Sequence, residues 1–280
     1  MSVLTSLFLG IVQGIAEFLP ISSSGHLSIL QNLLKLSYSE EGHLFFDVLL
    51  HLGTFISICI VYRRDLRAMF ADSIEFLRNR SDGDDDGGAL KPSVRMVVFI
   101  IVGTLPLIIA YIFSKSVATL FLKTGFIGFA LLVTGALLYV SDKLIKPGSK
   151  TEKKMTVKDA LLIGIAQAIA VIPGLSRSGA TISVGLSRGL ERDFAVRFSL
   201  LLSLPAVLGA TIVTIFSAFK AGINWALAPI YLAGFVVATV VGCVAIYLVR
   251  GIMAKGKFGN FAYYCWGVGV LTIILSIILN

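Results

Sequence analysis

Charged residues are scarce in this chain: they make up 14% of its 280 residues, whereas hydrophobic residues make up 56%. Apolar runs of membrane length cover most of the sequence, so the composition excludes an ordinary soluble domain and indicates a polytopic membrane protein. The net charge is +8, but the basic residues lie between the apolar runs, where membrane topology accounts for them. No nucleic-acid partner is therefore expected.

Cysteine and histidine are also rare, with three of each. Cys59, Cys243 and Cys265 stand singly within apolar runs and lack metal-ligand spacing, which favours inert packing residues over a metal motif. No basic residue precedes the first apolar run, so we expect no cleaved signal peptide.

One stretch occurs twice. Residues 10–26 read GIVQGIAEFLPISSSGH and residues 164–180 read GIAQAIAVIPGLSRSGA, and at an offset of 154 they agree at eight of seventeen positions. In each copy a proline, Pro20 or Pro173, breaks an apolar run and a Ser/Gly cluster follows. This pattern is typical of an interrupted membrane helix, and we interpret the copies as halves of one site.

Six further apolar segments predict membrane-crossing helices, at 44–62, 96–113, 125–140, 198–219, 226–249 and 261–279. Nineteen basic residues lie in one set of connections, 63–95, 141–158, 187–197 and 250–260, and four lie in the other set, 35–43, 114–124 and 220–225. The basic set should therefore face the cytoplasm. Both chain ends are then expected on the external side of the cell membrane.

This orientation makes both motifs re-entrant, 10–26 from outside and 164–182 from the cytoplasm. Three spans separate them, and an odd number inverts the second copy relative to the first. The predicted fold is an all-α inverted-topology repeat, with residues 1–140 and 141–280 as its halves. The two broken hairpins should meet at a polar pocket near the membrane midplane, because irregular backbone at that depth needs protein or water around it.

Ionisable residues mark this pocket: Glu17 and His26 in the first motif and Arg177 in the second. In apolar surroundings such groups are a functional hypothesis by default. The motifs also supply hydroxyls and glycines, namely Ser22, Ser23, Ser24, Gly25, Ser176, Ser178, Gly179 and Thr181. Hydroxyls, a guanidinium and helix N-termini together favour a phosphate or pyrophosphate site. The alternative is an internal Glu17–Arg177 ion pair that only holds the hairpins together.

The two motifs resemble the signature motifs of a known family. QGIAEFLPISSSGH at 13–26 and PGLSRSGATI at 173–182 look like those of the undecaprenyl-pyrophosphate phosphatases, also called bacitracin-resistance proteins, and the resemblance covers essentially the whole chain. It implies hydrolysis of a polyprenyl pyrophosphate carrier to its monophosphate and inorganic phosphate, which recycles the carrier for cell-wall synthesis. It also implies a divalent cation, Mg²⁺ or Ca²⁺, an active site opening on the outer face, and bacitracin competing for the lipid substrate.

The resemblance also implies roles for individual residues. His26, Glu17 and Arg177 are the expected catalytic residues, with Arg177 as the phosphate clamp and the hydroxyls and glycines as phosphate ligands. Glu17 and Gln13 are expected to bind the cation, directly or through water, although Gln13 supplies no charge where some family members have a glutamate. His26 is either a nucleophile or a general base, and the sequence does not choose between them.

Asp47 and His51 lie four residues apart, hence on one helical face. They either support the pocket or pair with each other, and they are left outside the core site. The oligomeric state, including a homodimer, is left open.

A transporter is the rival interpretation, since inverted repeats with interrupted helices are typical of carriers. A flippase for a phosphate-bearing lipid, or an anion translocator, would use much the same pocket. His26 beside a carboxylate favours hydrolysis, because turnover needs a nucleophile or base whereas binding needs only donors.

Overall fold

The computed structural model describes residues 2–33, 41–81, 90–113, 117, 119–146, 148–221 and 225–278. These residues form α-helices joined by short turns, with 3₁₀ turns at Thr119–Leu122, Trp225–Leu227 and Phe258–Asn260. The helices are α1 (Val3–Ala16), α2 (Ser23–Leu33), α3 (Glu41–Val61), α4 (Arg63–Ser81), α5 (Pro92–Thr104), α6 (Pro106–Ile112), α7 (Thr124–Lys143), α8 (Val157–Ile169), α9 (Arg177–Ser187), α10 (Arg192–Ala221), α11 (Ala228–Ala254) and α12 (Phe261–Ile278).

Five helical stretches are long and apolar enough to cross a membrane: Pro92–Ile112, Thr124–Lys143, Arg192–Phe216, Trp225–Ala254 and Phe258–Ile278. A sixth span results if α3 and α4, which are bent by 75° at their junction, are counted as one. The protein is therefore an all-α polytopic membrane protein, and each of the six predicted crossings coincides with one of these stretches.

The predicted connections need one correction. Much of 63–95 is helical, because α4 continues the chain as a helix from Arg63 to Ser81. Its polar composition hid it from a search for apolar runs. The predicted connections 35–43, 63–95, 114–124 and 220–225 lie partly outside the described residues.

The helix bounds repeat at the offset of the sequence motifs. Adding 154 to the bounds of α1 and α2 gives 157–170 and 177–187, and α8 and α9 occupy Val157–Ile169 and Arg177–Ser187. With lengths of 14, 11, 13 and 11 residues, all four are shorter than the roughly 20 residues that cross a bilayer. Both motifs thus form helix–break–helix units, as a re-entrant hairpin requires. The division of the chain at residue 140 stays a prediction.

Equivalent glycines pack the first helix of each hairpin against the opposite half of the chain. A Cβ atom on Gly10 of α1 would lie 2.6 Å from the carbonyl oxygen of Gly234 in α11, and one on Gly164 of α8 would lie 2.2 Å from that of Gly103 in α5. Small residues allow such close crossings between membrane helices. A larger side chain at Gly10 or Gly164 would displace the hairpin.

Asp159 fixes the start of the second hairpin. It completes a capping box with Thr156 at the N-terminus of α8, and its carboxylate accepts hydrogen bonds from Arg188 Nε at 2.8 Å and Lys150 Nζ at 3.2 Å. Burial by itself would raise the pKa of Asp159. Hydrogen bonds from Arg188, Thr156 and Lys150 outweigh it and lower this pKa to about 2. The aspartate thus joins α8, the end of α9 and the preceding loop.

Candidate functional site

The two hairpin tips meet at an ion pair. Glu17 ends α1 and Arg177 begins α9, and the guanidinium donates a hydrogen bond to Glu17 Oε1. The other oxygen, Oε2, accepts from Gln13 Nε2 at 2.9 Å and Ser23 Oγ at 2.7 Å. Only 4% of the Glu17 side chain is exposed, so a buried carboxylate is held by groups from both motifs.

A serine hydroxyl of each hairpin tip contacts a backbone carbonyl of the other tip. Ser22 Oγ lies 3.5 Å from the Leu175 carbonyl oxygen, and Ser178 Oγ lies 3.4 Å from that of Leu19. Gly174 has φ +91° and Ser22 has φ +70°. A left-handed conformation costs glycine little but costs serine roughly 1–2 kcal/mol. Such strain is concentrated at functional sites, and here it lies where the hairpins meet.

The predicted phosphate ligands fall into two groups. Ser23 and Ser178 lie at the junction of the tips, and Ser24 Oγ is 3.5 Å from Ser22 Oγ. The hydroxyls of Ser176 and Thr181 instead form hydrogen bonds inside the second hairpin and with α10. Ser176 Oγ accepts from the Gly179 amide at 3.1 Å as the N-cap of α9.

Thr181 is buried against α10, where its hydroxyl contacts Ser199. Gly25, from the other motif, lies in the first turn of α2 beside the backbone of Gly174. The N-termini of α2 and α9 therefore both lie at the junction, and helix N-termini attract anions.

A small cavity adjoins the ion pair. It is lined by Glu17, Phe18, Arg177, Ser178, Ser199, Leu200 and Ser203 and has a volume of about 10 Å³, room for roughly one water molecule. The sequence interpretation missed Ser199 and Ser203, although two serines four residues apart in an apolar helix were a usable signal. A cavity of this volume leaves no room for a larger ligand beside the Glu17–Arg177 pair.

His26 lies on α2 and faces α12. Its Nδ1 is 2.8 Å from the Ser22 carbonyl oxygen, so Nδ1 carries the proton and the lone pair of the neutral ring is on Nε2. Nε2 lies 2.8 Å from the Tyr264 hydroxyl, which donates to it, and the two rings are stacked with centroids 5.7 Å apart. Among the described residues, no hydrogen bond or ion pair joins His26 to Glu17 or Arg177. Nothing in the sequence marked Tyr264.

His51 lies beside the Glu17 carboxylate. Its Nδ1 donates to the Asp47 carbonyl oxygen at 2.9 Å, and its Nε2 is 3.9 Å from Glu17 Oε2. Asp47 in turn accepts from Gln31 Nε2 at 2.8 Å through Oδ1. His51 therefore lies beside the predicted pocket, as one of the two alternatives for these residues requires.

A divalent cation can be tested against the donor atoms present. Gln13 Oε1 is buried and has no hydrogen-bond partner within the described residues, and it belongs to the side chain that contacts Glu17. Those ranges contain no group of three or more His, Cys, Asp or Glu side chains able to hold a metal. One carboxylate and one amide oxygen suit Mg²⁺ or Ca²⁺ when phosphate and water supply the other ligands. The residues therefore fit such an ion.

These features define a class: an integral membrane protein in which two repeated broken hairpins meet at a buried ion pair. The family model described as bacitracin resistance protein BacA matches residues 6–271. The chain belongs to this family.

Curated relatives match over the whole chain. A protein of Methanosphaera stadtmanae is 40% identical over 286 residues, covering 100% of both chains. One of Halothermothrix orenii is 40% identical and covers 99% of each, and one of Syntrophotalea carbinolica is 39% identical and covers 99% of this chain and 100% of its own. Each is named undecaprenyl-diphosphatase.

Proposed function

We propose that this protein hydrolyses undecaprenyl pyrophosphate to undecaprenyl monophosphate and inorganic phosphate, and so returns the lipid carrier to cell-wall synthesis. Family membership and full-length similarity to proteins named undecaprenyl-diphosphatase support the activity. One observation carries the assignment to a site: Arg177, at the N-terminus of α9, lies in a buried junction of both motifs, paired with Glu17.

The diphosphate takes the place of the Glu17 carboxylate on Arg177. A planar guanidinium can bind two phosphate oxygens at once. The N-termini of α2 and α9 and the hydroxyls of Ser23 and Ser178 then provide donors around the same anion. The polyprenyl chain extends into the membrane, where burial of its apolar surface favours binding.

His26 acts through Nε2, since Nδ1 donates to the Ser22 carbonyl. In one route Nε2 removes a proton from water as the water oxygen attacks the terminal phosphorus. In the other Nε2 attacks phosphorus, and water hydrolyses the phosphohistidine in a second step. In both routes the bond from the terminal phosphorus to the bridging oxygen breaks, and undecaprenyl monophosphate leaves. Either route requires the Tyr264 hydroxyl to move away from Nε2.

Glu17 and Gln13 are the residues that would hold the divalent cation. When bound, Mg²⁺ or Ca²⁺ would neutralise charge on the diphosphate. Glu17 released from Arg177 offers a free carboxylate for this purpose, and Gln13 adds an amide oxygen that needs a partner.

The orientation proposed from the basic residues places the chain ends and the opening of the site on the external face of the cell membrane, where bacitracin would compete for the lipid. A cysteine at Ser2 should react with an impermeant thiol reagent added to intact cells, whereas a cysteine at Ser149 should not. Equal reaction at both positions from outside would contradict this orientation.

The activity is tested with purified protein in nanodiscs, supplied with undecaprenyl pyrophosphate and Mg²⁺. We expect release of inorganic phosphate, and His26→Ala should abolish it while the thermal midpoint stays close to that of the parent. A translocator would instead move labelled lipid between leaflets without releasing phosphate. Lipid movement with no hydrolysis would refute the proposed activity.

A further inference from the structure

Helix α4 begins where a membrane helix ends. α3 has 21 residues and is about 31 Å long at 1.5 Å per residue, so it can cross the hydrocarbon core by itself and the sixth span does not require α4. Tyr62 follows, and the chain turns by 75° into α4. A helix that turns this sharply at the end of a span begins in the headgroup layer and runs nearly parallel to it.

One face of α4 packs on the protein and the adjacent stripe does not. Leu66 and Met69 pack against the main hydrophobic cluster. Phe70, Ile74 and Leu77 follow at spacings of four and three, hence on one stripe, and are 71%, 50% and 65% exposed. Three large apolar side chains in a row on an exposed helix indicate a surface that another apolar phase covers.

The acidic residues of α4 point away from this stripe and are paired with cations of the protein. Asp65 accepts from Arg197 at 2.7 Å. Lys91 Nζ lies 3.3 Å from Asp72 and 2.8 Å from Glu75. Arg197 thus offsets the charge of Asp65, and Lys91 offsets one of the two charges of Asp72 and Glu75, which weakens the repulsion of an anionic surface.

Two arginines lie on the remaining side, whereas Arg63 begins the helix and donates a hydrogen bond to the Ile60 carbonyl oxygen at 3.0 Å. Arg64 and Arg67 are exposed, and at about 100° per residue Arg67 lies beside Ile74, with Arg64 one step further round. Around the helix the order is thus the core-packed face, the exposed apolar stripe, the arginines and then the paired carboxylates. This is the order required of a helix at the edge of a protein with lipid tails on one side and phosphate headgroups above them.

We infer that α4 is an interfacial helix that binds anionic phospholipids. Phe70, Ile74 and Leu77 insert at the boundary of the acyl chains, and Arg64 and Arg67 bind headgroup phosphates. The stripe continues the lipid-facing surface of α3, whose Ile60 is 46% exposed next to the bend. Lipid fits better than a second copy of the chain, since pairing two such stripes would also bring their arginines together.

The depth of α4 is measured on the full-length protein in nanodiscs of phosphatidylcholine and phosphatidylglycerol. A nitroxide is attached at Ile74→Cys in a background without the three native cysteines. Ala68→Cys is the matched control, because Ala68 is exposed but lies on the carboxylate side. We expect the label at 74 to collide more with dissolved oxygen and less with a water-soluble nickel complex than the label at 68. Equal exposure to nickel at both positions would overturn the inference.

The lipid preference is tested by combining Arg64→Gln with Arg67→Gln in the Ile74→Cys protein. Each arginine near an anionic surface contributes about 5-fold to binding, so the pair should change the ratio of docked to undocked helix by about 30-fold. Added phosphatidylglycerol should protect the label in the parent but not in this variant. Equal protection in both would contradict the role of the arginines. Protection that appears only when a nanodisc holds two chains, with dipolar coupling between their labels, would identify a second copy as the occupant instead.

Discussion

Replacing Arg177 separates its two interpretations, the phosphate clamp and the internal ion pair. Arg177→Lys keeps the charge but loses the planar fork. Arg177→Met removes the charge and leaves the Glu17 carboxylate buried, with only Gln13 and Ser23 donating to it. Adding Glu17→Gln to Arg177→Met removes that charge as well.

The structure sets the size of each effect. Removing one partner of a buried pair costs about 3–5 kcal/mol, but the Arg177 side chain is 26% exposed and two donors to Glu17 remain. We therefore expect Arg177→Met to lower the free energy of unfolding by about 2–3 kcal/mol and the double variant to regain most of it. Loss of a clamp that acts in the transition state costs about 2–4 kcal/mol, or roughly 30-fold to 1,000-fold in turnover, for Arg177→Lys.

Two measurements on the three variants decide between the interpretations: phosphate release from undecaprenyl pyrophosphate, and thermal unfolding in one detergent. The clamp predicts an inactive double variant of nearly normal stability and a stable but slow Arg177→Lys protein. Near-normal turnover by Arg177→Lys, or activity in the double variant, would refute the clamp and leave Arg177 as a structural partner of Glu17.

Three further predictions concern other residues. Tyr264→Phe should raise kcat/KM by about 5-fold, because the substitution removes a hydrogen bond of about 1 kcal/mol that occupies His26 Nε2 but retains the stacked ring; a decrease of that size would mean that the hydroxyl assists the reaction. His51→Ala should raise the Mg²⁺ concentration for half-maximal turnover about 10-fold, because His51 lies beside the Glu17 carboxylate and helps to position it. The thermal midpoint should change little. An unchanged Mg²⁺ dependence would show that His51 does not act on the site. Asp159→Asn should lower the free energy of unfolding by about 1.5–3 kcal/mol at neutral pH, since hydrogen bonds to a charge are lost. Because the pKa of Asp159 is lowered from 3.8 to about 2, its stabilisation is present above pH 3.8 and should disappear as the pH falls toward 2; a difference between the proteins that persists at pH 2 would contradict this account.

Hydropathy and local motif chemistry were sufficient to predict the membrane class, the crossings and the two broken hairpins. These properties depend on short stretches of chain: an apolar run long enough to cross, or a proline followed by serines and glycines. The junction of Glu17 and Arg177 was among the alternatives for the same reason, since charges in apolar motifs must find partners.

Contacts between distant helices could not be predicted in this way. Tyr264 reaches His26 because α12 and α2 both pack against α7, and Ser199 reaches Thr181 because α10 packs beside α9. Neither relation follows from spacing along the chain. Helix α4 was taken for a connection because its arginines conceal the exposed apolar stripe from a search for apolar runs.

In the proposed mechanism, the Glu17–Arg177 ion pair and the phosphate clamp are successive states of the same residues. In the closed state each charge neutralises the other, and the adjoining cavity of about 10 Å³ excludes a diphosphate. Opening leaves an unpaired cation and an unpaired carboxylate in a buried site, which is unfavourable unless ligands of opposite charge replace both. A diphosphate alone would satisfy Arg177 but repel Glu17, and a divalent cation alone would do the reverse. We therefore propose that the open state is stabilised most when diphosphate and cation bind together, because only then does every charge at the junction have a partner.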